Sequence, residues 1–304
     1  MKKFLILTLL VASTVWSQDE LGFSYKFEFG AKGSENGQLL APQSLAVHPR
    51  GLVYLADTGN NRLQEFSPRG EFQKLVGGFG WGKEQFQNPV DIFVYNATDV
   101  FIADYDNSRI ERYDKDLNYI ASYTSRAEWD VVHQFAFPRS VFVSLHGDIF
   151  IIDGDNNRVQ KFSPSFDPEF SFGNYDWGRG ALSMPQDLVI SHQDLIYVSD
   201  SDLGVVMRYD YYGNFLDQIG DNILDHPQGL ALDAWGNLYV ADLGLQQVLI
   251  FDPAGRLLKK FGGPGDGIGA FDSPIDVDVL DKSLYILDRG RSRIQVFTLN
   301  FSNE

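Results

Sequence analysis

Leu52-Val-Tyr-Leu-Ala-Asp57-Thr-Gly-Asn-Asn-Arg62-Leu-Gln-Glu-Phe66 decides the fold, because the chain repeats its plan five more times. An apolar run rich in β-branched and aromatic residues ends in an aspartate. A Gly-Asn-Asn turn follows, and a second run ends in an aromatic ring, the pattern of a β-hairpin. Outward from this stretch, a proline recurs at Pro42, Pro89, Pro138, Pro185, Pro227 and Pro274, and an aspartate follows each at Asp57, Asp104, Asp153, Asp200, Asp242 and Asp288. Nine residues after each aspartate stands a ring, Phe66, Tyr113, Phe162, Tyr209, Phe251 or Phe297. Three residues before each proline stands an apolar anchor, Leu39, Phe86, Phe135, Leu182, Leu224 or Phe271. Four registers kept through six copies define a structural repeat.

A unit of this length makes one small antiparallel sheet, which cannot bury its faces alone and must stack on its neighbours. Burial on both faces explains why Leu52 to Ala56 and Ile149 to Ile152 are continuous apolar runs rather than alternations. The stretch quoted above, and Phe101-Ile-Ala-Asp104-Tyr-Asp-Asn-Ser-Arg109-Ile-Glu-Arg-Tyr113, resemble the NHL repeat. The resemblance covers nearly all of the chain after its first residues and implies an all-β, six-bladed propeller of four-stranded antiparallel blades. Copies four and five depart from it, with Val205 and Gln247 where the others carry Arg62, Arg109, Arg158 and Arg293.

Ring closure follows from what the sixth copy lacks. The first five continue past the aromatic ring into a fourth strand, at Phe72 to Val76, Asn118 to Tyr123, Glu169 to Phe172, Asn214 to Ile219 and Leu257 to Phe261, but only seven residues follow Phe297. The missing strand is available at the other end of the chain, where Phe23, Tyr25, Phe27 and Phe29 alternate with polar residues. Residues 22–29 are therefore expected to complete the last blade.

Residues 1–17 read as an export signal: Lys2 and Lys3, an apolar run from Phe4 to Ala12 broken by Thr8, and Val15-Trp16-Ser17 before the cut. Residues 18–304 then form a single propeller, secreted or periplasmic and of bacterial style, with no further segment able to insert in a membrane. The absence of cysteine leaves packing to supply stability. A net charge of −16 argues against nucleic acid, which needs clustered cations. No G-x-S-x-G elbow, H-E-x-x-H or phosphate loop occurs.

In such a propeller, loops leading from a fourth strand into the next blade share a face with the turns between second and third strands, and binding is expected there. His133 and His226 fall on that face, while His48, His146 and His192 fall on the other. Two scattered histidines make a poor zinc site, and all five are expected to be solvated loop residues. The six aspartates read as turn-fixing acceptors.

Two residues after each blade proline stand Ser44, Asp91, Ser140, Asp187, Gly229 and Asp276, acids on alternate blades. Either they cap local turns, or Asp91, Asp187 and Asp276 converge at the channel mouth to hold Ca²⁺. Trp81, Trp129 and Trp177 lie in equivalent loops and, with Tyr175, Arg139 and Arg179, form a candidate contact patch unless the rings fold inward to anchor their loops.

The reading preferred on these grounds is a non-enzymatic, monomeric scaffold presenting its loop face to a protein or glycan of the cell envelope. The alternative is a Ca²⁺-dependent hydrolase or lyase at the channel mouth, as resemblance to gluconolactonase-type propellers implies, with Arg139 or His133 polarising the substrate.

Overall fold

The computed structural model describes residues 21–301, which are strands, turns and four short 3₁₀ segments. The expected export signal lies outside the described residues. Six four-stranded antiparallel sheets stand in sequence order. The first comprises Ser44–Val47, Val53–Asp57, Arg62–Phe66 and Phe72–Gly77. The remaining fourth strands are Tyr119–Thr124, Pro168–Phe172, Phe215–Ile219 and Leu257–Gly262, each within a residue or so of its expected place.

The sixth blade contributes Pro274–Leu280, Ser283–Asp288 and Arg293–Phe301, and Leu21–Phe29 completes it. Pairing runs antiparallel from Leu21 opposite Phe301 to Phe29 opposite Ile294, with a register shift between Tyr25 and Phe27. This strand also reaches both neighbouring blades. Phe23 stacks on Phe261 of the fifth blade at 4.1 Å, and Phe29 meets Phe66 of the first at 5.0 Å.

The core is divided six ways. Each hydrophobic cluster spans two consecutive blades, as where Phe29, Leu287 and Ile294 of the sixth pack with Leu45, Leu55 and Phe66 of the first. Central strands are accordingly buried end to end, as in Val53–Asp57 and Leu238–Asp242. The turn before each fourth strand comes close to the preceding blade. Gly70 sits there at φ 79°, where a Cβ would lie 2.6 Å from the Phe29 ring.

The blade aspartates are structural, but they reach further than a local turn. Asp57 is fully buried, and its Oδ1 accepts the Leu40 N–H from the loop leading into the blade (2.7 Å). Its Oδ2 accepts from Arg62 Nε (2.7 Å), Asn60 Nδ2 (2.8 Å) and Gln64 Nε2 (2.9 Å). Arg62 donates onward to the carbonyls of Ser34, Glu35 and Gln38 in the same loop. Asp104 with Arg109 and Asp153 with Arg158 repeat the arrangement.

In blades four and five, where the arginine is replaced, Asp200 and Asp242 hold the loop through Ser183, Met184, Asp225 and His226 N–H groups. In the sixth blade the pair is looser, Arg293 Nε lying 3.5 Å from Asp288 while its Nη1 reaches Glu28 of the closing strand at 3.0 Å.

Candidate functional site

The first strands of all six blades neighbour one another around a common axis. Their second position after the blade proline forms a hydrogen-bonded belt. Ser44 donates to Asp91 Oδ1 (2.9 Å), and Asp91 Oδ2 accepts the Val141 N–H of the third blade (2.8 Å). Ser140 of that blade donates to Asp187 Oδ1 (2.8 Å), whose Oδ2 accepts Leu230 N–H of the fifth (2.8 Å). Asp276 Oδ2 closes the belt on Leu45 N–H of the first blade (2.7 Å). Each Oδ1 also accepts the next N–H in its own strand, from Ile92, Leu188 or Val277.

The acids therefore cap the start of their own strands, as one expected role has it, and each also holds an N–H of the next blade. The belt is broken at one place. Gly229 stands where Ser44 and Ser140 stand in their blades, and a Cβ there would overlap Asp276 Oδ1, which therefore lacks the hydroxyl donor its counterparts have.

Burial raises all three acids, and Asp187, beside Asp91, is pushed up to about 7. Asp276 is raised well above the usual carboxylate range by burial and then by the charges of Asp187 and Asp91.

Two cavities meet at this belt, since Ser44, Asp91, Asp187 and Asp276 line both. The wider, about 670 Å³, opens among the turns between first and second strands, the face opposite the one where binding is expected. Its wall is mostly apolar, with Val47, Phe93, Phe142, Ile190 and Trp235, plus Asp278, which holds the Val47 N–H (2.7 Å) and is raised to about 6 by burial. The narrower, about 310 Å³, opens on the loop face, walled by Gln43, Gln186, Gln228, Tyr105, Arg139 and Arg289.

Arg139 lies over the Tyr105 ring at 5.6 Å, its Nε buried without a hydrogen-bond partner. Arg289 Nη1 reaches Gln43 Oε1 at 3.3 Å, and burial lowers its pKa. These mouth residues could be read from the repeat: Gln43, Arg139, Gln186 and Gln228 follow the blade prolines, and Tyr105 and Arg289 follow the blade aspartates.

The belt does not fit calcium. That ion wants six to eight oxygens at 2.3–2.6 Å, whereas these carboxylates are spaced to hold strand N–H groups, and no group of three or more acids or histidines among the described residues is arranged to hold a metal.

The aromatic loops divide. Trp81 is 72% exposed and touches exposed Phe79 at 5.9 Å, and Tyr175 is 92% exposed, with Arg179 also in solvent. Trp129 instead folds inward against Phe162 and Phe166 (5.7 and 5.8 Å), anchoring its loop beside Arg126. The Trp177 side chain lies outside the described residues. Arg139 belongs to the channel mouth rather than to the patch. One histidine departs from expectation: His48 is fully buried, its Nε2 3.0 Å from the Ala97 carbonyl, linking the first two blades.

Six four-stranded sheets round a channel make the chain a six-bladed β-propeller. More particularly, residues 39–66 match the family model of the NHL repeat. No curated protein sequence matches significantly. Solved structures share the fold at low identity. A protein of unknown function from Bacteroides thetaiotaomicron aligns with TM-score 0.73 and 14% identity, covering 92% of this chain and 77% of that one. A gluconolactonase from Xanthomonas campestris gives 0.65 and 16%, covering 87% and 88%. A catalytically inactive virginiamycin B lyase from Staphylococcus aureus, solved with quinupristin, gives 0.61 and 12%, covering 93% and 89%.

Proposed function

We propose that this chain is an exported binding module that presents its loop face to a protein or glycan of the cell envelope. The observation that carries the reading is the exposure of large apolar side chains on three consecutive loops of that face: Phe79 and Trp81, then Val131 and Val132, then Tyr175. Single exposed apolar residues are ordinary, but a set gathered on one face favours a contact surface. The loops into blades two and three are pinned at their bases by the Asp104–Arg109 and Asp153–Arg158 pairs, so they lose little freedom on binding. The belt carboxylates are engaged in holding strands, which favours a scaffold over a metal-dependent hydrolase or lyase.

The test is surface binding of immobilised protein to envelope polysaccharides and envelope proteins, comparing wild type with a Trp81→Ala, Tyr175→Ala variant. Retention of one ligand class by wild type, with at least tenfold weaker binding by a variant that melts normally, is expected, since truncating aromatic anchors costs about 2 kcal/mol or more each. Undiminished binding by the variant contradicts the reading. Lactone hydrolysis that requires added Ca²⁺ and is lost in Asp187→Asn would replace it with the hydrolase.

A further inference from the structure

The narrow channel mouth gathers acidic and basic side chains with no ion pair between them. Its floor is the belt of Asp91, Asp187 and Asp276, and no lysine or arginine among the described residues forms an ion pair with any of them. Its rim carries Arg139, which has a buried donor without an acceptor, and Arg289, whose hydrogen bond to the Gln43 amide is long. Burial without counter-charge is costly, which raises the acids and lowers Arg289, and the cost falls when a ligand supplies the missing partners.

A simple anion would satisfy the arginines but leave the acidic side chains without a partner, while a simple cation would do the reverse. We infer that the mouth binds a small zwitterion, an α-amino acid or dipeptide, with its carboxylate on Arg139 and Arg289 and its ammonium on the acidic floor at Asp276.

Several features favour this orientation. Guanidinium groups pair with carboxylates through two parallel hydrogen bonds, and Arg139, lying over the Tyr105 ring, lines this cavity. Gly229 leaves Asp276 Oδ1 with the Val277 N–H but no serine hydroxyl, one donor fewer than Asp91 Oδ1 or Asp187 Oδ1 accepts. The amides of Gln43, Gln186 and Gln228 line the same cavity and can serve either end or a peptide bond between. A volume of about 310 Å³ suits a molecule of this size, at the lower end of small-molecule sites. This site is separate from the loop patch and does not depend on it.

Isothermal titration of the full chain with glycylglycine, putrescine and succinate tests the inference. Saturable binding of glycylglycine is expected, with putrescine and succinate at least tenfold weaker. Arg139→Gln should weaken glycylglycine binding at least tenfold and leave putrescine unchanged, with Arg289→Gln giving the same pattern should the first variant misfold. Trp81→Ala should not alter glycylglycine binding, which keeps this result distinct from that of the loop face. Absence of glycylglycine binding at millimolar concentration, equal affinity for putrescine, or an unaltered titration in folded arginine variants would overturn it.

Discussion

At Asp57 one fully buried carboxylate takes four hydrogen bonds, one from a backbone N–H seventeen residues earlier and three from side chains of its own hairpin. Arg62, its charge partner, spends its other donors on three carbonyls of the lead-in loop. Removing the guanidinium strands the Asp57 charge in the core, a loss that typically costs about 3–5 kcal/mol. Arg62→Ala should therefore lower the unfolding free energy by about 3 kcal/mol or more in urea titration, and a loss below about 1 kcal/mol would show that the pair does not hold the loop. The aspartate and arginine columns are plain in the sequence, and so is their structural task. Their partners are not, because Leu40 and Gln38 are brought to the turn only by the path of the folded loop.

Among elements, the inner strands are tied to one another through the acid belt as well as through packing. Blades one, three and five each receive an acid from the blade before them, at Leu45, Val141 and Leu230. This arrangement has a pH signature. Asp187, raised to about 7, and Asp278, raised to about 6, keep protons in the folded protein that the unfolded chain, with carboxylates near about 4, has already released. Folding stability contributed by these groups is therefore greatest at low pH and falls as pH rises from about 4 to about 7. Asp114, Asp148 and Asp210, which are shifted downward, act below that window. The melting temperature should fall between about pH 5 and about pH 7.5, more shallowly in Asp187→Asn; an identical slope in that variant would count against the belt as its source. The alternation of acids could be read from the repeat, but their bonding across blades could not, because it needs the spacing between strands some forty to fifty residues apart. Arg139 is expected from the sequence both in the loop patch and at the channel mouth, and only the mouth placement holds; Arg289 is legible beside it as the residue after a blade aspartate.

For the whole molecule, six sheets close into a ring because the chain keeps back one strand. The repeat pattern made this legible: a sixth copy without its fourth strand, and an alternating aromatic segment near the start with no other place to go. The wide cavity on the opposite face was not legible, because inner-strand side chains that line a channel and those that pack between blades share the same apolar composition. The closing strand buries Leu21 and Phe29, at roughly 1.5–3 kcal/mol each, and adds a nine-residue ladder while tying the fifth, sixth and first blades. That sum is comparable with the whole net stability of a typical domain, about 5–15 kcal/mol. The most direct measurement is thermal unfolding of a chain lacking residues 18–30 beside the intact propeller. A melting temperature lowered by more than about 10 °C, or failure to fold, is the expected result; an unchanged, equally cooperative melt would contradict closure of the ring by its N-terminal strand.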